Sequence, residues 1–361
     1  VNPKTYRRFA IALLFISSAL CCHYIAKSYR TIHLPRAKDP LELYSNQLHN
    51  DLRLHTLACI QRAQTSIDLI IYSIRDQSLI TALREKAENG IHVRIICDPK
   101  GSKGVARLLG PDVYVRYEKS HGLMHQKILI IDKTDLWIGS ANFTSESLRC
   151  HGNLMMAFHN PQLARALIAQ TQVPFMKAEE RIDGEVNGQS LSFYNLPDEG
   201  EALKALLSSI EEAKVSIKIA MFTWTHQKIA EAVITAYERG VNVEVIMDRH
   251  SARGASKKIK DKLLAAGVIV RAHTGNGLLH YKMCIIDERI LYNGSCNWTE
   301  GAFTKNSDCF IVIHDLLPKQ KRQLRKLWRV LTCLTSKLRA SPPHSQSLVD
   351  IGTTVPDHKL Q

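Results

Sequence analysis

The chain has 361 residues, 45% hydrophobic and 23% charged. That balance excludes a mainly disordered chain, a polytopic membrane protein and a disulfide scaffold, and the length fits two or three domains. Lys and Arg number 48 against 34 Asp and Glu, a formal net charge of +14 that points to nucleic acid or an anionic membrane.

The charge is unevenly placed. Residues 1–40 carry +6, residues 318–340 carry +8 and residues 341–361 carry −1, leaving +1 for residues 41–317. In the first of these segments Lys4, Arg7 and Arg8 precede an apolar stretch from Phe9 to Ala26, and Lys27 and Arg30 follow it. At 1.5 Å per residue the stretch spans about 27 Å, enough for a bilayer core, so residues 1–40 are expected to be a membrane anchor. The competing reading is a cleaved signal, since Ser17, Ser18 and Ala19 are small, and the protein is then secreted. Cys21 and Cys22 follow the apolar run and are candidates for acylation.

From Leu41 the body is a duplication. Ile60, Ala63, Ser66 and Ile67 recur as Ile210, Ala213, Ser216 and Ile217, a shift of 150. Gln77, Ala82, Gly90, Val93, Ile96 and Asp98 map by the same shift onto Gln227, Ala232, Gly240, Val243, Ile246 and Asp248. In each copy an apolar run (Ile67–Ile74, Ile217–Phe222) leads into an amphipathic helix that stops at Gly90 or Gly240. A strand follows, Val93–Cys97 or Val243–Met247. Apolar runs alternating with helices predict an α/β protein with buried sheets. The expected division is a first repeat over 41–176, a linker over 177–189, a second repeat over 190–340 and a disordered tail over 341–361. The basic stretch 319–334 reads as the last helix of the second repeat, its apolar face packed on the core and its charged face free to touch anionic lipid. Nine cysteines without CxxC or zinc spacing read as mostly reduced; Cys97, Cys284 and Cys309 fall in strand-like runs.

The sharpest signal is a pair of matched constellations. His125, Lys127 and Asp132 are followed by Gly139, Ser140, Asn142 and Thr144; His280, Lys282 and Asp287 by Gly294, Ser295, Asn297 and Thr299. Offsets from the histidine are identical, at 2, 7, 14, 15, 17 and 19 residues. Period-2 alternation puts His and Lys of each copy on one face of a strand. Two imidazoles and two ammonium groups suit a phosphodiester: one His attacks phosphorus and the other protonates the departing oxygen. Lys127 and Lys282, with Ser140, Asn142, Ser295 and Asn297, are expected to hold the non-bridging oxygens. No metal is expected; His121 and His125 stand four apart, but on the approach to a strand that spacing does not bring side chains together.

With HxKx₄D and GSxN present twice and intact, the sequence resembles the phospholipase D superfamily over roughly residues 41–335. The resemblance implies two α/β/α sandwich repeats about a pseudo-twofold axis, with the active site at their interface. It implies a phosphohistidine intermediate, no metal and no cofactor. It also places Asp132 and Asp287 in the catalytic motif, though a structural ion-pair role is expected of both. Family members often carry an acid about 28 residues beyond the histidine; here the second copy has Asp308 and the first has Asn153. The expectation drawn is that Asp308 raises His280, which serves as the acid, while Asn153 leaves His125 neutral as the nucleophile; against it, a carboxylate would also stabilise a phosphohistidine, and the interface could carry Asp308 toward either ring.

Phe143-Thr144 and Trp298-Thr299 resemble the branch holding bacterial endonucleases and the mitochondrial cardiolipin hydrolase. A near-neutral body and a basic excess beside the apolar segment favour phospholipid and membrane as partners, with the protein acting as a monomer. A nucleic acid substrate ranks second, because a nuclease needs a basic groove on its catalytic body. A phosphatidyltransferase of cardiolipin-synthase type ranks below it, since that enzyme's second motif usually continues into an Asp and an Arg-Ser pair. A non-catalytic copy requires a lost motif residue, and none is lost.

Overall fold

The computed structural model describes residues 32–171 and 179–338, together with Ser17 and Ser18. The segment Phe9–Ala26 lies almost wholly outside the described residues, as do Cys21, Cys22 and the tail 341–361. Among the described residues no helix is long and apolar enough to cross a membrane.

Two sheets form the body. The first contains β1 (Glu42–Tyr44), β2 (Ser66–Ile71), β3 (His92–Cys97), β4 (Tyr114–Tyr117), β5 (Lys127–Ile131), β6 (Asp135–Gly139) and β7 (Met155–His159), in the order β1-β7-β6-β5-β2-β3-β4. The second contains β8 (Arg181–Val186), β9 (Gln189–Leu196), β10 (Ser216–Met221), β11 (Asn242–Met247), β12 (Ile269–His273), β13 (Lys282–Ile286), β14 (Ile290–Gly294), β15 (Asp308–Ile313) and β16 (Thr335–Lys337). Its order is β16-β12-β11-β10-β13-β14-β15-β9-β8. Removing β1, β16, β8 and β9 from the edges leaves the same six-strand order in both, so the duplication read in the sequence is a duplication of topology.

Each repeat has a parallel part built on helical crossovers and an antiparallel part built on hairpins. β2 and β3 run parallel across α1 (Gln77–Glu88), and β5, β6 and β7 pair antiparallel. The crossover helix starts where Asp76 accepts hydrogen bonds from the N–H of Ser78 and Leu79, an N-cap that satisfies otherwise orphaned donors. Strands β2 and β5 are buried on both faces, with mostly apolar side chains, because helices cover the sheet on each side. The cores are joined: Met283, Ile285, Leu291, Ile311 and Ile313 of the second half pack in one cluster with the first half's Ile128, Trp137 and Met156. Cys97, Cys284 and Cys309 are buried free thiols within β3, β13 and β15.

The segment 177–189 is not a linker where it is described. Arg181–Val186 buries Ile182 and Val186 and exposes Arg181, Asp183 and Glu185, the alternation of a strand with one covered face. Val186 pairs with Gln189 across Asn187 and Gly188, both at positive φ. The glycine that suggested a flexible connection is the second residue of a tight hairpin turn. The second sheet therefore begins at Arg181, ahead of residue 190.

The last helix, α2 (Pro318–Cys333), buries Leu324, Leu327, Trp328 and Leu331 in the shared cluster, as its apolar spacing predicts. Lys319 reaches Glu42 on β1 at 2.5 Å and Arg325 reaches Glu288 at 2.8 Å. Arg322, Lys326 and Arg329 are exposed, and no ion pair engages them among the described residues.

Candidate active site

The motif residues sit where β5 and β13 begin. Ile71 of β2 pairs with Lys127, and Met221 of β10 pairs with Lys282, so equivalent strand ends carry both constellations. Each histidine is fastened by backbone to the opposite half. The His125 N–H donates to Ser307 O at 2.7 Å, and the Ser307 N–H donates to Leu123 O at 2.9 Å. In mirror image, the His280 N–H donates to Gly152 O and the Gly152 N–H donates to Leu278 O, both at 2.8 Å. These contacts repeat when the halves are exchanged, as a pseudo-twofold axis requires.

The ring contacts cross the same interface. His125 Nδ1 lies 2.9 Å from Asp308 Oδ1, and His280 Nδ1 lies 3.1 Å from Asn153 Oδ1. The expectation that Asp308 serves His280 is thus corrected: the carboxylate belongs to His125 and the amide to His280. The Asn153 amide cannot turn over, because its Nδ2 donates to Ser147 O at 2.8 Å while its Oδ1 accepts from Ser140 at 2.9 Å. His280 must therefore donate from Nδ1, which leaves Nε2 as its working nitrogen.

Ser140 and Ser295 do not face a substrate. Both are fully buried, and each spends its hydroxyl proton on the residue behind the opposite half's histidine. Ser140 donates to Asn153, Ser295 to Asp308 at 2.5 Å, and each accepts an N–H from the neighbouring strand or its approach. The glycine before each serine is required by that approach: a Cβ on Gly139 falls 2.2 Å from Leu154 O, and one on Gly294 falls 2.4 Å from Cys309 O. Asn142 and Asn297 remain half-buried at the site. Asn142 Oδ1 has no hydrogen-bond partner among the described residues, and Asn297 Oδ1 accepts the Thr223 N–H at 3.3 Å. Thr144 and Thr299 cap the short helices that follow, accepting from Ser147 and Ala302.

Asp132 and Asp287 are at the wrong end of the strand for chemistry. Five residues of strand put Asp132 about 16 Å from Lys127. Its carboxylate accepts the backbone N–H of Gln64, Thr65 and Ser66, and Asp287 accepts those of Lys214, Val215 and Ser216. They are structural, as expected, but their partners are amides rather than cations. Both carboxyls lie below the usual carboxylate range because those N–H donors outweigh partial burial.

Charge at the centre is strongly biased. Lys127 is fully buried and Lys282 is 4% exposed. Each ammonium donates to the carbonyl of its own histidine, Lys282 at 2.8 Å, and lies over an aromatic ring, Tyr72 or Phe222, at 5.3 and 4.9 Å. Burial pushes Lys127 down to about 7 and Lys282 well below the lysine range. Burial and Lys127 also lower His125 against the pull of Asp308; burial, Lys282 and Lys127 lower His280 further. Burial works to raise Asp308, but His125, Lys127 and Ser295 hold it below its ordinary value. An anion placed between the two lysines and the two histidines favours the protonated form of each.

Supporting residues outside the motif were legible only as repeat partners. Tyr72 and Phe222, related by the 150-residue shift, stand 5.3 and 4.9 Å from the rings of His125 and His280. Asp98 and Asp248, another such pair, brace the turn before each histidine by accepting the N–H of Met124 and Leu279. Asn306 donates to Asp308 at 3.3 Å and carried no sequence signal.

A family model described as "Cardiolipin synthase, PLD-like domain" matches residues 56–172 and 206–328. The mitochondrial cardiolipin hydrolase of Chlamydomonas reinhardtii is 35% identical over 129 residues, covering 35% of this chain and 57% of that protein. A phospholipase D of Rickettsia typhi is 30% identical over 131 residues, covering 36% and 63%. The chain thus spans less than two thirds of the length of these relatives. A crystal structure of phosphatidylserine synthase from Haemophilus influenzae Rd KW20 superposes with a TM-score of 0.64 at 14% identity, over 85% of this chain and 89% of that one, a likeness of fold. With its two matched stretches spanning both halves, the chain belongs to the phospholipase D-like domain family.

Proposed function

We propose that the protein is a metal-independent phosphodiesterase that hydrolyses phospholipids through a phosphohistidine. The observation that carries this reading is the crossed arrangement of two histidines, each oriented from the other half, beside two buried lysines that each donate to the carbonyl of their own histidine. Such a centre is charged for a phosphate before substrate arrives, and Lys127 and Lys282 supply the positive charge that a cation gives other phosphodiesterases.

In the first step His125 Nε2 bonds to phosphorus and the bond to the leaving oxygen breaks. That oxygen takes a proton from His280. Attack makes the His125 ring cationic, and Asp308 lies against its Nδ1 to balance that charge. His280 is suited to give up a proton because burial and both lysines disfavour its cation. In the second step His280 takes a proton from water, the oxygen bonds to phosphorus, and the bond to His125 breaks. The roles are those expected from the sequence, but the reason is inverted: the carboxylate stabilises a phosphorylated nucleophile rather than a protonated acid.

Phospholipid is favoured by the relatives named as cardiolipin hydrolase and phospholipase D, and by the exposed cations of α2. Membrane association through residues 1–40 completes the reading. The test is a panel of choline, ethanolamine and glycerol phospholipids, cardiolipin, and single- and double-stranded DNA and RNA, with and without exhaustive chelation. Lipid cleavage that survives chelation and vanishes in His125→Ala is expected. Cleavage of nucleic acid alone overturns the substrate, and rescue of a chelated enzyme by Zn²⁺ or Mg²⁺ overturns the mechanism.

A further inference from the structure

A third imidazole stands at the site with no structural duty. The His151 ring centroid lies 6.3 Å from that of His280, tilted by 48°. Its placement is fixed by backbone on both sides. The His151 N–H donates to Glu146 O at 3.0 Å, and the next residue, Gly152, makes the two bonds to Leu278 and His280 described above. The second half's loop presses so close that a Cβ on Gly277 falls 2.1 Å from Cys150 O and 3.2 Å from the His151 Cα. The ring itself is half-buried and has no hydrogen bond among the described residues. The repeat partner, Asn306, is committed instead: its amide accepts the Leu123 N–H at 2.9 Å and donates to Asp308. One equivalent position thus holds a structural amide and the other an unengaged, titratable ring.

The reaction creates a need for such a ring. His280 is 7% exposed and burial and both lysines disfavour its cation, yet it must carry a proton when the leaving oxygen departs. The proton taken from water in the second step restores the acid form, but burial and both lysines favour its loss to solvent between turnovers. Two rings at this separation leave room for one bridging water.

We propose that His151 relays protons between solvent and His280, loading it before the first step and unloading it after the second. In the loading direction the N–H bond on His151 breaks, the intervening water passes the proton on, and an N–H bond forms on His280. Unloading is the reverse. The groups facing His151 are Glu146 and Asp248, which favour its cation, and Lys282, which with burial disfavours it. Facing His280 are Lys282, Lys127, His125 and His151 itself. His151 acts through His280 and is a positioning residue in that sense. The inference rests on His280 being the general acid.

The experiment compares His151→Asn, which copies the other half, and His151→Gln, on two substrates: a glycerophospholipid and its 4-nitrophenyl phosphodiester analogue. With the lipid, kcat should fall 10- to 100-fold at unchanged KM, with the alkaline limb of its pH profile moved to lower pH. Added imidazole should restore the rate in proportion to its concentration. The nitrophenolate burst should be unchanged, since that leaving group needs no proton. Full activity in both variants overturns the relay, and so does an equal loss on both substrates without imidazole rescue. Melting temperatures within a few degrees of the parent exclude misfolding as the cause. His125→Ala and His280→Ala run alongside: activity surviving in His125→Ala refutes the site itself, whereas two inactive controls with normal His151 variants refute the relay alone.

Discussion

His125 and His280 begin equivalent strands of equivalent sheets, yet the first has a buried carboxylate at its Nδ1 and the second a buried amide. Apart from His151 standing where the other half has Asn306, the surroundings are matched: a lysine two residues on, an aromatic ring against it, a serine behind the orienting group and an aspartate bracing the preceding turn. Because so much is held constant, the difference between Asp308 and Asn153 isolates what one charge does. A carboxylate suits the ring that must become cationic and stay so through an intermediate. An amide fixes tautomer and direction without stabilising the cation, which suits a ring that must release its proton.

The largest effect that would break this comparison is on the histidines themselves. With a natural lipid both His125→Ala and His280→Ala should lose activity by about 10²–10⁴-fold or more. With an acidic leaving group they should part: His280→Ala should accumulate a phosphoenzyme and His125→Ala should not, read by trapping and mass spectrometry. Phosphate on residue 280 reverses the assignment. Next in size, Asp308→Asn should cost about 10²–10³ in kcat by uncovering the charge on phosphorylated His125. The reciprocal Asn153→Asp should raise the pKa of His280 and move the alkaline limb of the kcat profile to higher pH. It should also destabilise the fold by about 1–2 kcal/mol, since a carboxylate then faces Ser147 O.

The lysines sharpen the comparison from the side of stability. Lys127 falls from 10.5 unfolded to about 7 folded, so between those values the unfolded chain binds more protons and folding stability rises with pH. Lys127→Met should be inactive yet melt higher at pH 7 by a few degrees or more, read by calorimetry. Its melting temperature should vary less between pH 7 and 10 than the parent's does. The smallest effect on chemistry belongs to the motif aspartates. Asp132→Ala and Asp287→Ala should each cost about 1–2 kcal/mol, because three backbone N–H donors lose their acceptor. The kcat of the folded fraction should stay within a factor of about two. Both carboxyls are lowered in the folded state, so their contribution is present above the ordinary carboxylate range and is lost as pH falls through the folded values.

The duplicated fold and the two constellations were legible because they are written in local spacing: period-2 alternation places His and Lys on one strand face, and a constant offset exposes a repeat. The crossed partnership was not. His125 and Asp308 are 183 residues apart and His280 and Asn153 are 127 apart, and nothing within either repeat says which ring an orienting residue meets. The serines were misjudged for a related reason, since their burial depends on how tightly β7 and β15 cross Gly139 and Gly294. The 177–189 segment misled because a turn glycine and a linker glycine look alike until Val186 finds Gln189.

The entry of the chain into the first sheet has a consequence for how the site is approached. β1 runs with Glu42 opposite Ala157 and Tyr44 opposite Met155, so it travels toward the histidine end, where Met155 meets Gly139. Upstream, Pro35 O accepts from Arg62, which also reaches Asp135 at the opposite end of the sheet. The backbone therefore comes in at the pole remote from the catalytic mouth. Substrate therefore reaches the two histidines from the pole opposite to the one where Pro35 lies against Arg62.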